Sequence, residues 1–309
     1  MLEVVAAEPG LFAELKALLP ESIVKQNEPL ARKTTLRVGG AADVYVEPAS
    51  EEALAAAVTL CARRQTPFRL LGRGSNLLIR DGGLRGVAIS LAAPAFSSIE
   101  TRGETLRCGA GARLKAVAAR ARDLSLAGLE FLEGIPGSVG GALRMNAGAM
   151  GAAVFDVATR VRYMDHQGRI GECEAAQAPH QYRSSPFFRD RIALGADFRG
   201  RPAPRETILK TTAAFNEKRW SSQPKEPSAG CIFKNPATVP AGKLIEELGL
   251  KGARVGGAAV STVHGNFIVN ENQATAANVL ELIALIKARA KAERGIDLET
   301  EVEIIGEEH

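Results

Sequence analysis

The chain contains 309 residues, of which 46% are apolar, and this is enough for two or three domains with buried cores. The formal net charge is only +4, the basic residues are scattered, and aromatic residues make up 5%. These values argue against a nucleic-acid-binding surface, so we expect no nucleic-acid partner.

The cysteine and histidine patterns argue against common structural crosslinks. The four cysteines form no CxxC pair and the four histidines lack metal-ligand spacing, so we predict a reducing compartment, no disulfide framework and no metal site. Glu3 and Glu8 fall where a signal peptide would be apolar, and no apolar run approaches about 18 residues. We therefore expect a soluble cytoplasmic protein without membrane contact.

The first ninety residues predict a helix, a strand and a βαβ pattern. Residues 9–19 predict an amphipathic helix, residues 42–47 predict a strand, and Ser50 can cap a helix that runs to about residue 64. Apolar runs at 68–71 and 86–91 predict two further strands. Between them lies a glycine loop formed by Gly72, Arg73, Gly74, Ser75 and Asn76.

This glycine loop departs from the common phosphate-binding motifs. No GK[ST] follows it, and Leu77 stands where GxGxxG requires the third glycine. The GAG sequence at 109–111 also lacks that glycine. Each loop alone is a weak signal, although Ser75, Asn76 and their backbone N–H groups can bind a diphosphate as an anion nest.

Residues 128–151 are rich in glycine and yet apolar. Six glycines, at 134, 137, 140, 141, 148 and 151, alternate with apolar residues such as Ile135 and Val139, and Pro136 fixes a bend. This loop fits either a tight structural crossover or a cradle around a large flat ligand, because glycine lets the backbone approach a ligand closely. The second glycine loop favours a bound nucleotide.

A second lobe is predicted at about 93–208. It contains strands at 105–108 and 157–164 and a helix at 112–126. The segment QYRSSPFF places three aromatic side chains around Arg183. This arginine suits either a surface ion pair or an anion-binding role supported by aromatic packing.

The last hundred residues combine regular elements with a candidate site. The patterns predict a strand and helix at 207–220, a helix at 241–250, a strand at 267–270, a helix at 275–294 that ends at Gly295, and a strand at 298–305 with an acidic face. The segment PSAGCIFKNP carries Cys231, a lone thiol that suits either a buried core position or a reactive site.

Eight motifs follow the order found in the UDP-N-acetylenolpyruvoylglucosamine reductase family, which the chain resembles from about residue 33 to 306. They are TTLRVGGAADVYVEP, GRGSNLLIRDGG, GIPGSVGGALRMNAGA, YRSSPFF, PSAGCIFKNP, AGKLIEELGLKG, HGNFIVN and LETEVEIIG. The resemblance implies an α+β fold with a two-lobed FAD-binding domain of the PCMH or vanillyl-alcohol-oxidase type, plus a C-terminal α+β substrate-binding domain. The short spacing between the YR and PSAG motifs resembles the type II branch.

The resemblance implies a domain division, cofactors and a reaction. An N-terminal helix and arm would occupy 1–35, the FAD-binding domain 36–208 (lobes at about 36–92 and 93–208) and the substrate-binding domain 209–309. The reaction would be the FAD-dependent, NADPH-driven reduction of UDP-N-acetylglucosamine enolpyruvate to UDP-N-acetylmuramate in peptidoglycan precursor synthesis. The implied partners are this small-molecule substrate and NADPH, and we expect a monomer.

The resemblance also assigns residues to each role. The FAD contacts would be Gly72, Arg73, Gly74, Ser75, Asn76, Gly134, Ile135, Pro136, Gly137, Ser138, Gly140, Gly141, Asn146 and Ala147. The substrate contacts would be Tyr182, Lys225, Asn235 and His264. The catalytic residues would be Arg183, Cys231 and Glu301. Glu301 would either donate a hydrogen bond to the substrate carboxylate or orient Arg183.

Two positions depart from the family pattern. The proton donor is usually serine, whereas this chain has Cys231, whose thiol has an ordinary pKa of about 8.5 and is a stronger acid than a hydroxyl. Glu303 stands where many relatives carry arginine, and nothing in the sequence explains it.

Two other function classes remain open from the residues. An FAD oxidase of the same two-lobed fold would reoxidise its flavin with oxygen and need no NADPH. A binding module would hold FAD or a UDP-sugar without turnover. The joint presence of Arg183, Cys231 and Glu301 favours the reductase.

Overall fold

A computed structural model describes residues 10–308 as a mixture of helices and antiparallel and parallel strands. The helices are α1 (Leu11–Leu18), α2 (Glu51–Arg63), α3 (Leu114–Asp123), α4 (Val139–Met145), α5 (Val154–Val157), α6 (Arg205–Ser222), α7 (Ala241–Glu247) and α8 (Ala276–Arg294). Within residues 10–308, no helix combines the length and apolar character needed to span a membrane.

The strands are mostly short. They are β1 (Ile23–Pro29), β2 (Ala41–Glu47), β3 (Phe68–Leu71), β4 (Leu77–Ile79), β5 (Leu84–Ser90), β6 (Ile99–Arg102), β7 (Thr105–Gly109), β8 (Leu126–Ala127), β9 (Gly148–Ala149), β10 (Ala152–Ala153), β11 (Ala158–Asp165), β12 (Ile170–Glu174), β13 (Arg191–Arg199), β14 (Arg201–Pro202), β15 (Ser228–Cys231), β16 (Arg254–Val255), β17 (Ala258–Val260), β18 (Phe267–Asn270) and β19 (Glu303–Ile305).

Contacts between residues divide the chain into two units built from interleaved segments. Unit 1 comprises the chain up to Gln26, Val44–Arg73 and Gly86–Lys218. Unit 2 comprises Asn27–Asp43, Gly74–Arg85 and the chain from Arg219 onward. The predicted domain boundaries near residues 35 and 208 stay a prediction.

Unit 1 contains a five-stranded antiparallel sheet in the order β12-β11-β13-β7-β6. Its strands alternate buried and exposed residues, so one face packs on apolar side chains of α3 and α4 such as Val117 and Leu143. A second sheet has the order β1-β2-β5-β3, and within it β3 and β5 pair in parallel. The apolar face of α2 packs in the associated core together with Leu11 and Leu15 of α1.

Unit 2 packs α7 and α8 with a four-stranded sheet in the order β15-β18-β17-β16. Two cap residues begin α8: Thr275 accepts a hydrogen bond from Asn278, and the Asp81 carboxylate accepts from the first two amides of the helix at 2.8 Å each. Gly295 ends α8 with φ +66°. The parallel pair β4–β19 completes the unit.

Most predicted elements are confirmed, including α2 with its Ser50 cap, β3, β18 and α8 with its Gly295 stop. Three predictions are wrong. Residues 207–220 form no strand, because α6 runs through them and buries Ile208 and Thr212 four residues apart. The glycine-rich residues 128–151 do not form a loop throughout, because they contain α4. The last strand is only Glu303–Ile305, the part that pairs with β4.

Candidate functional site

At several positions of unit 1, neither the backbone conformation nor the space around it requires glycine. A Cβ added to Gly134 would meet no atom within 4 Å, one on Gly141 would come no closer than 3.8 Å to Ser138 Oγ, and one on Gly72 no closer than 3.5 Å to the same oxygen. None of these three has positive φ. Gly140 differs, because its Cβ would lie 3.0 Å from the Cβ of Ala110. Bare backbone beside open space is what a closely approaching ligand requires, so these residues fit a bound FAD.

Positive charge lies next to this bare backbone. Ser138 is 5% exposed and forms an isolated antiparallel bridge with Arg113, which precedes α3. Arg73 follows Gly72, and burial together with the positive charge of Arg113 lowers the pKa of Arg73. Two guanidinium groups that repel one another are favourable for an anion, such as the diphosphate of a dinucleotide.

Arg183 lies on a two-residue turn in unit 1. Gln181 and Ser184 flank the turn and exchange main-chain hydrogen bonds of 2.8 and 3.2 Å. Arg183 has φ +55°, the left-handed region that a residue with a long side chain seldom adopts. Its guanidinium lies 5.0 Å from the ring centroid of Tyr182, and Tyr182 is 62% exposed. The turn therefore presents an aromatic ring and a positive charge together.

Asn146 supports this turn through its side-chain amide. Asn146 is 8% exposed, ends α4 with φ +41°, donates from Nδ2 to Gln181 O at 3.1 Å and accepts from Phe155 N at 3.4 Å. A Cβ on Gly148 would come 2.7 Å from Ala152 O and 3.3 Å from Arg183 Nη1, so glycine leaves room for the neighbouring strand and for the guanidinium. The predicted contact of Asn146 with FAD stays a prediction.

Cys231 and Glu301 lie close together along the main chain of unit 2. Cys231 ends β15 opposite Phe267, directly after Gly230, which has φ +77°. The next residue, Ile232, accepts a hydrogen bond from Glu301 N at 2.8 Å through its carbonyl oxygen. Both Cys231 and Glu301 are half-buried. Main-chain hydrogen bonding therefore joins the segments that carry the predicted acid and the predicted carboxylate.

Asn76 of the glycine loop also contacts this segment. Its Nδ2 donates to Glu301 O at 3.1 Å, and its carbonyl accepts from Glu303 N at 3.0 Å. The bond from Glu303 N to Asn76 O lies next to the first residue pair of the β4–β19 ladder. The side chain of Asn76 thus positions Glu301, and nothing in the structure explains the acidic residue at Glu303.

Cys231 lines an open cavity of about 260 Å³ in unit 2. The other lining residues are Asn235, Pro240, Gly242, Lys243, Glu246, Val263, His264, Gly265 and Asn266. Asn235 Oδ1 accepts from Ala241 N at 3.0 Å and so fixes the start of α7. Lys225 is exposed in the segment between α6 and β15. The structure thus gathers Cys231, Asn235 and His264 around one cavity.

The other buried thiols differ from Cys231. Burial raises the pKa of Cys61 to about 11 and that of Cys108 to about 12, and both side chains pack in apolar cores of unit 1. These two residues are core cysteines. Cys231 instead faces a cavity, which favours the reactive reading of its motif.

His264 is held in one orientation at this cavity. Its Nδ1 accepts from Asn266 N at 3.1 Å, so Nε2 carries the proton of the neutral ring. Burial lowers the pKa of His264, and Lys251 lowers it further. A Cβ on Gly242 would lie 2.7 Å from His264 Cε1, so the glycine lets the ring pack on α7. His264 is therefore a neutral hydrogen-bond donor.

Sequence reasoning missed three residues of these sites: Arg113, Gly242 and Asn266. Gly242 and Asn266 fall inside recognised motifs, AGKLIEELGLKG and HGNFIVN, but their roles depend on contacts with residues more than twenty positions away. An asparagine directly before an apolar strand was the available signal for Asn266, because such a side chain is buried only when its amide is paired.

Comparison with known proteins identifies the family of the chain. Residues 223–305 match the C-terminal domain of UDP-N-acetylenolpyruvoylglucosamine reductase, and residues 42–174 match an FAD binding domain. The chain is 45% identical over 304 residues to UDP-N-acetylenolpyruvoylglucosamine reductase of Geobacter metallireducens, covering 96% of this chain and 99% of the relative. It is 41% identical over 300 residues to the protein of that name from Syntrophomonas wolfei, covering 96% and 100%.

A solved structure is similar along nearly the whole chain. The crystal structure of UDP-N-acetylenolpyruvylglucosamine reductase from Thermus caldophilus superposes with a TM-score of 0.79 at 37% identity, covering 92% of this chain and 98% of that one. The predicted family and the predicted α+β fold with an FAD-binding domain are confirmed. The chain belongs to the UDP-N-acetylenolpyruvoylglucosamine reductase family and contains an FAD-binding domain.

Proposed function

We propose that this chain reduces UDP-N-acetylglucosamine enolpyruvate to UDP-N-acetylmuramate with FAD and NADPH, a step of peptidoglycan precursor synthesis. The observation that carries the proposal is the main-chain hydrogen bond from Glu301 N to Ile232 O, which joins the segments that carry the predicted carboxylate and the predicted acid Cys231. Family membership along 96% of the chain supports the same reaction.

The cofactor residues are proposed from the bare backbone of unit 1 and the loop that ends at Asn76. FAD, when bound, would carry a hydride from NADPH to the enolpyruvyl double bond. Gly72, Gly134 and Gly141 would let it approach the backbone, and Arg73 with Arg113 would offset the charge of its diphosphate. The remaining predicted FAD contacts belong to the same two segments.

Arg183 and Glu301 would stabilise charge on the substrate. As hydride reaches C3 of the enolpyruvyl group, negative charge develops at C2 and spreads into the adjacent carboxylate. Arg183 offers a fixed positive charge, and each well-placed group of this kind contributes roughly 10²–10³ in rate. Glu301 would either hydrogen-bond to that carboxylate or orient Arg183.

Cys231 would complete the reduction by donating its thiol proton to C2. The proton and the hydride then saturate the C2–C3 bond, and the thiolate left behind takes a proton from solvent. Placed general acids contribute roughly 10²–10⁴ in rate. Cys231 lines the cavity of unit 2, which supports this role.

Four further residues are proposed as substrate contacts. In unit 2, Asn235 and His264 line the cavity with Cys231, and Lys225 lies on the linker before β15. In unit 1, Tyr182 offers an exposed ring that suits stacking against a uracil base. We further propose that the protein acts as a cytoplasmic monomer.

The test combines cofactor binding with turnover. Purified protein should carry the visible absorbance of FAD, and NADPH should be oxidised only when the enolpyruvyl substrate is added. Rapid reoxidation of the reduced flavin by air without NADPH would favour an oxidase, and bound ligand without NADPH consumption would favour a binding module. A preparation that takes up no FAD on reconstitution would overturn the proposal.

A further inference from the structure

Asn266 is a buried residue that forms three hydrogen bonds to the two residues after Cys231, two of them through its side-chain amide. Asn266 is 2% exposed. Its Oδ1 accepts from Phe233 N at 2.9 Å, its Nδ2 donates to Phe233 O at 2.8 Å, and its own carbonyl accepts from Ile232 N at 2.8 Å. One residue thus replaces the strand pairing that stops at Cys231.

The opposite side of the same segment contacts the residues around Glu301. Ile232 O accepts from Glu301 N at 2.8 Å, Phe233 forms an isolated bridge with Thr300, and Lys234 N donates to Glu299 O at 2.9 Å. Residues 232–234 therefore lie between Asn266 and the segment 299–301. A shift of residues 232–234 would therefore move both Cys231, which precedes them, and Glu301, which is hydrogen-bonded to them.

Asn266 is itself fixed. Its N–H donates to His264 Nδ1 at 3.1 Å, and the neighbouring Gly265 lies so close to α7 that a Cβ there would be 2.5 Å from Gly242 O. The amide is also chemically specific, since Phe233 presents a donor and an acceptor that only a side chain with both functions can satisfy. An aspartate would direct a carboxylate oxygen at the carbonyl of Phe233.

We propose that Asn266 is a positioning residue that holds Cys231 and Glu301 in the geometry needed to protonate and polarise the substrate. The inference rests on the proposed function. It assigns Asn266 no contact with the reacting atoms, so its effect is confined to the step in which Cys231 and Glu301 act.

The experiment separates the two halves of the catalytic cycle by stopped-flow spectroscopy of the FAD-loaded protein. For Asn266→Ala, we expect reduction of the bound flavin by NADPH at the wild-type rate. Reoxidation by the enolpyruvyl substrate should slow by about 100-fold, because a misplacement of about 1 Å costs a factor of that order.

Asn266→Asp gives a readout that a purely structural role would not produce. Protonated aspartic acid has an O–H donor and a carbonyl acceptor and so matches the amide, whereas the ionised form loses the donor. Burial raises the pKa of such a carboxyl group. The reoxidation rate of this variant, relative to wild type, should therefore recover as the pH is lowered.

Asn270→Ala is the matched control. Asn270 ends β18, the strand that Asn266 directly precedes. It donates from Nδ2 to Leu36 O at 3.1 Å and accepts from Ala274 N at 2.9 Å, but contacts neither residues 231–234 nor 299–301 through its side-chain amide. We expect its thermal stability to fall and both half-reactions to stay near wild type.

The outcomes are distinguishable. Equal slowing of both half-reactions in Asn266→Ala, or a reoxidation rate in Asn266→Asp that ignores pH, would overturn the positioning role. Should Asn266→Ala fail to fold, the pH profile of the aspartate variant decides alone. A wild-type protein that binds FAD but never passes electrons to the enolpyruvyl substrate would overturn the proposed function itself.

Discussion

The turn that carries Arg183 and the segment that carries Cys231 are supported in opposite ways. Arg183 lies at positive φ on a two-residue turn that is held by its own two main-chain bonds and one amide from Asn146. Cys231 lies at the end of a strand whose continuation is hydrogen-bonded on both sides, by Asn266 and by the segment around Glu301.

The difference follows from what each group is proposed to do. A guanidinium interacts with an anion over several ångströms, so a turn held by local hydrogen bonds can serve it. A proton donor works only within hydrogen-bonding distance of the carbon it protonates, so it needs a fixed main chain. The positive φ of Arg183 costs about 1–3 kcal/mol of conformational free energy. Interactions around the turn have to offset this cost.

Replacing Cys231 should produce the largest effect. For Cys231→Ala we expect substrate reduction to slow by roughly 10²–10⁴, because no acid remains at C2. Cys231→Ser should keep most of the turnover, since the hydroxyl occupies the same rigid position. The readout is NADPH oxidation with the enolpyruvyl substrate. Equal rates for the alanine variant and wild type would remove Cys231 from the mechanism.

Replacing Arg183 tests the other side of the comparison. Arg183→Ala should slow substrate reduction by roughly 10²–10³, because the developing carboxylate charge loses its partner. The control is Arg191→Ala, which removes another arginine that lies over aromatic rings, Tyr163 and Phe187, in the same unit. If both variants lose activity equally, aromatic packing rather than charge at the site is responsible.

Replacing Asn146 tests how much the turn that carries Arg183 depends on the side-chain amide of Asn146. Asn146→Gly keeps the positive φ of +41° without strain and removes the bonds to Gln181 and Phe155. We expect a loss of about 1–3 kcal/mol of unfolding free energy, measured by denaturant titration, from the buried groups left unpaired. Asn146→Ala should lose more, because alanine disfavours this backbone conformation. A glycine variant as stable as wild type would contradict the supporting role.

The smallest expected effect is the pH dependence of stability that comes from His264, which lines the cavity with Cys231. The folded pKa of His264 lies below its ordinary value of about 6.5, so the unfolded chain binds this proton more readily. Stability should therefore fall as the pH drops from about 6.5 through the lowered folded pKa. His264→Asn, which offers Oδ1 to the amide of Asn266, should lose that part of the pH dependence in thermal melts. An unchanged profile would mean that another group titrates.

The sequence was most informative where local rules and burial agree. α2 and α8 have side-chain caps and apolar faces, and both were predicted within two residues. α4 was missed because two glycines each cost about 1 kcal/mol in a helix. Packing overrides that cost: Val139, Ala142 and Leu143 are buried, and Gly140 fits closely against Ala110.

The candidate site was predictable in residue identity but not in geometry. The motifs named Arg183, Cys231 and Glu301, yet no local pattern indicates that Arg183 has positive φ. The strand expected through Glu301 was wrong, because residues 299–301 form single bonds to residues 232–234 instead of a continuous ladder. Such contacts join residues more than sixty positions apart, and periodicity carries no information about them.

The interleaving of unit 2 has a consequence for how the protein is made. β4 pairs with β19, although residues 77–79 leave the ribosome long before residues 303–305 are synthesised. Leu36, Val38 and Leu78 belong to the core formed by α7 and α8. Unit 2 can therefore close only after residues 303–305 have been synthesised, and a fragment that begins at residue 219 would lack both a strand partner and part of its interior.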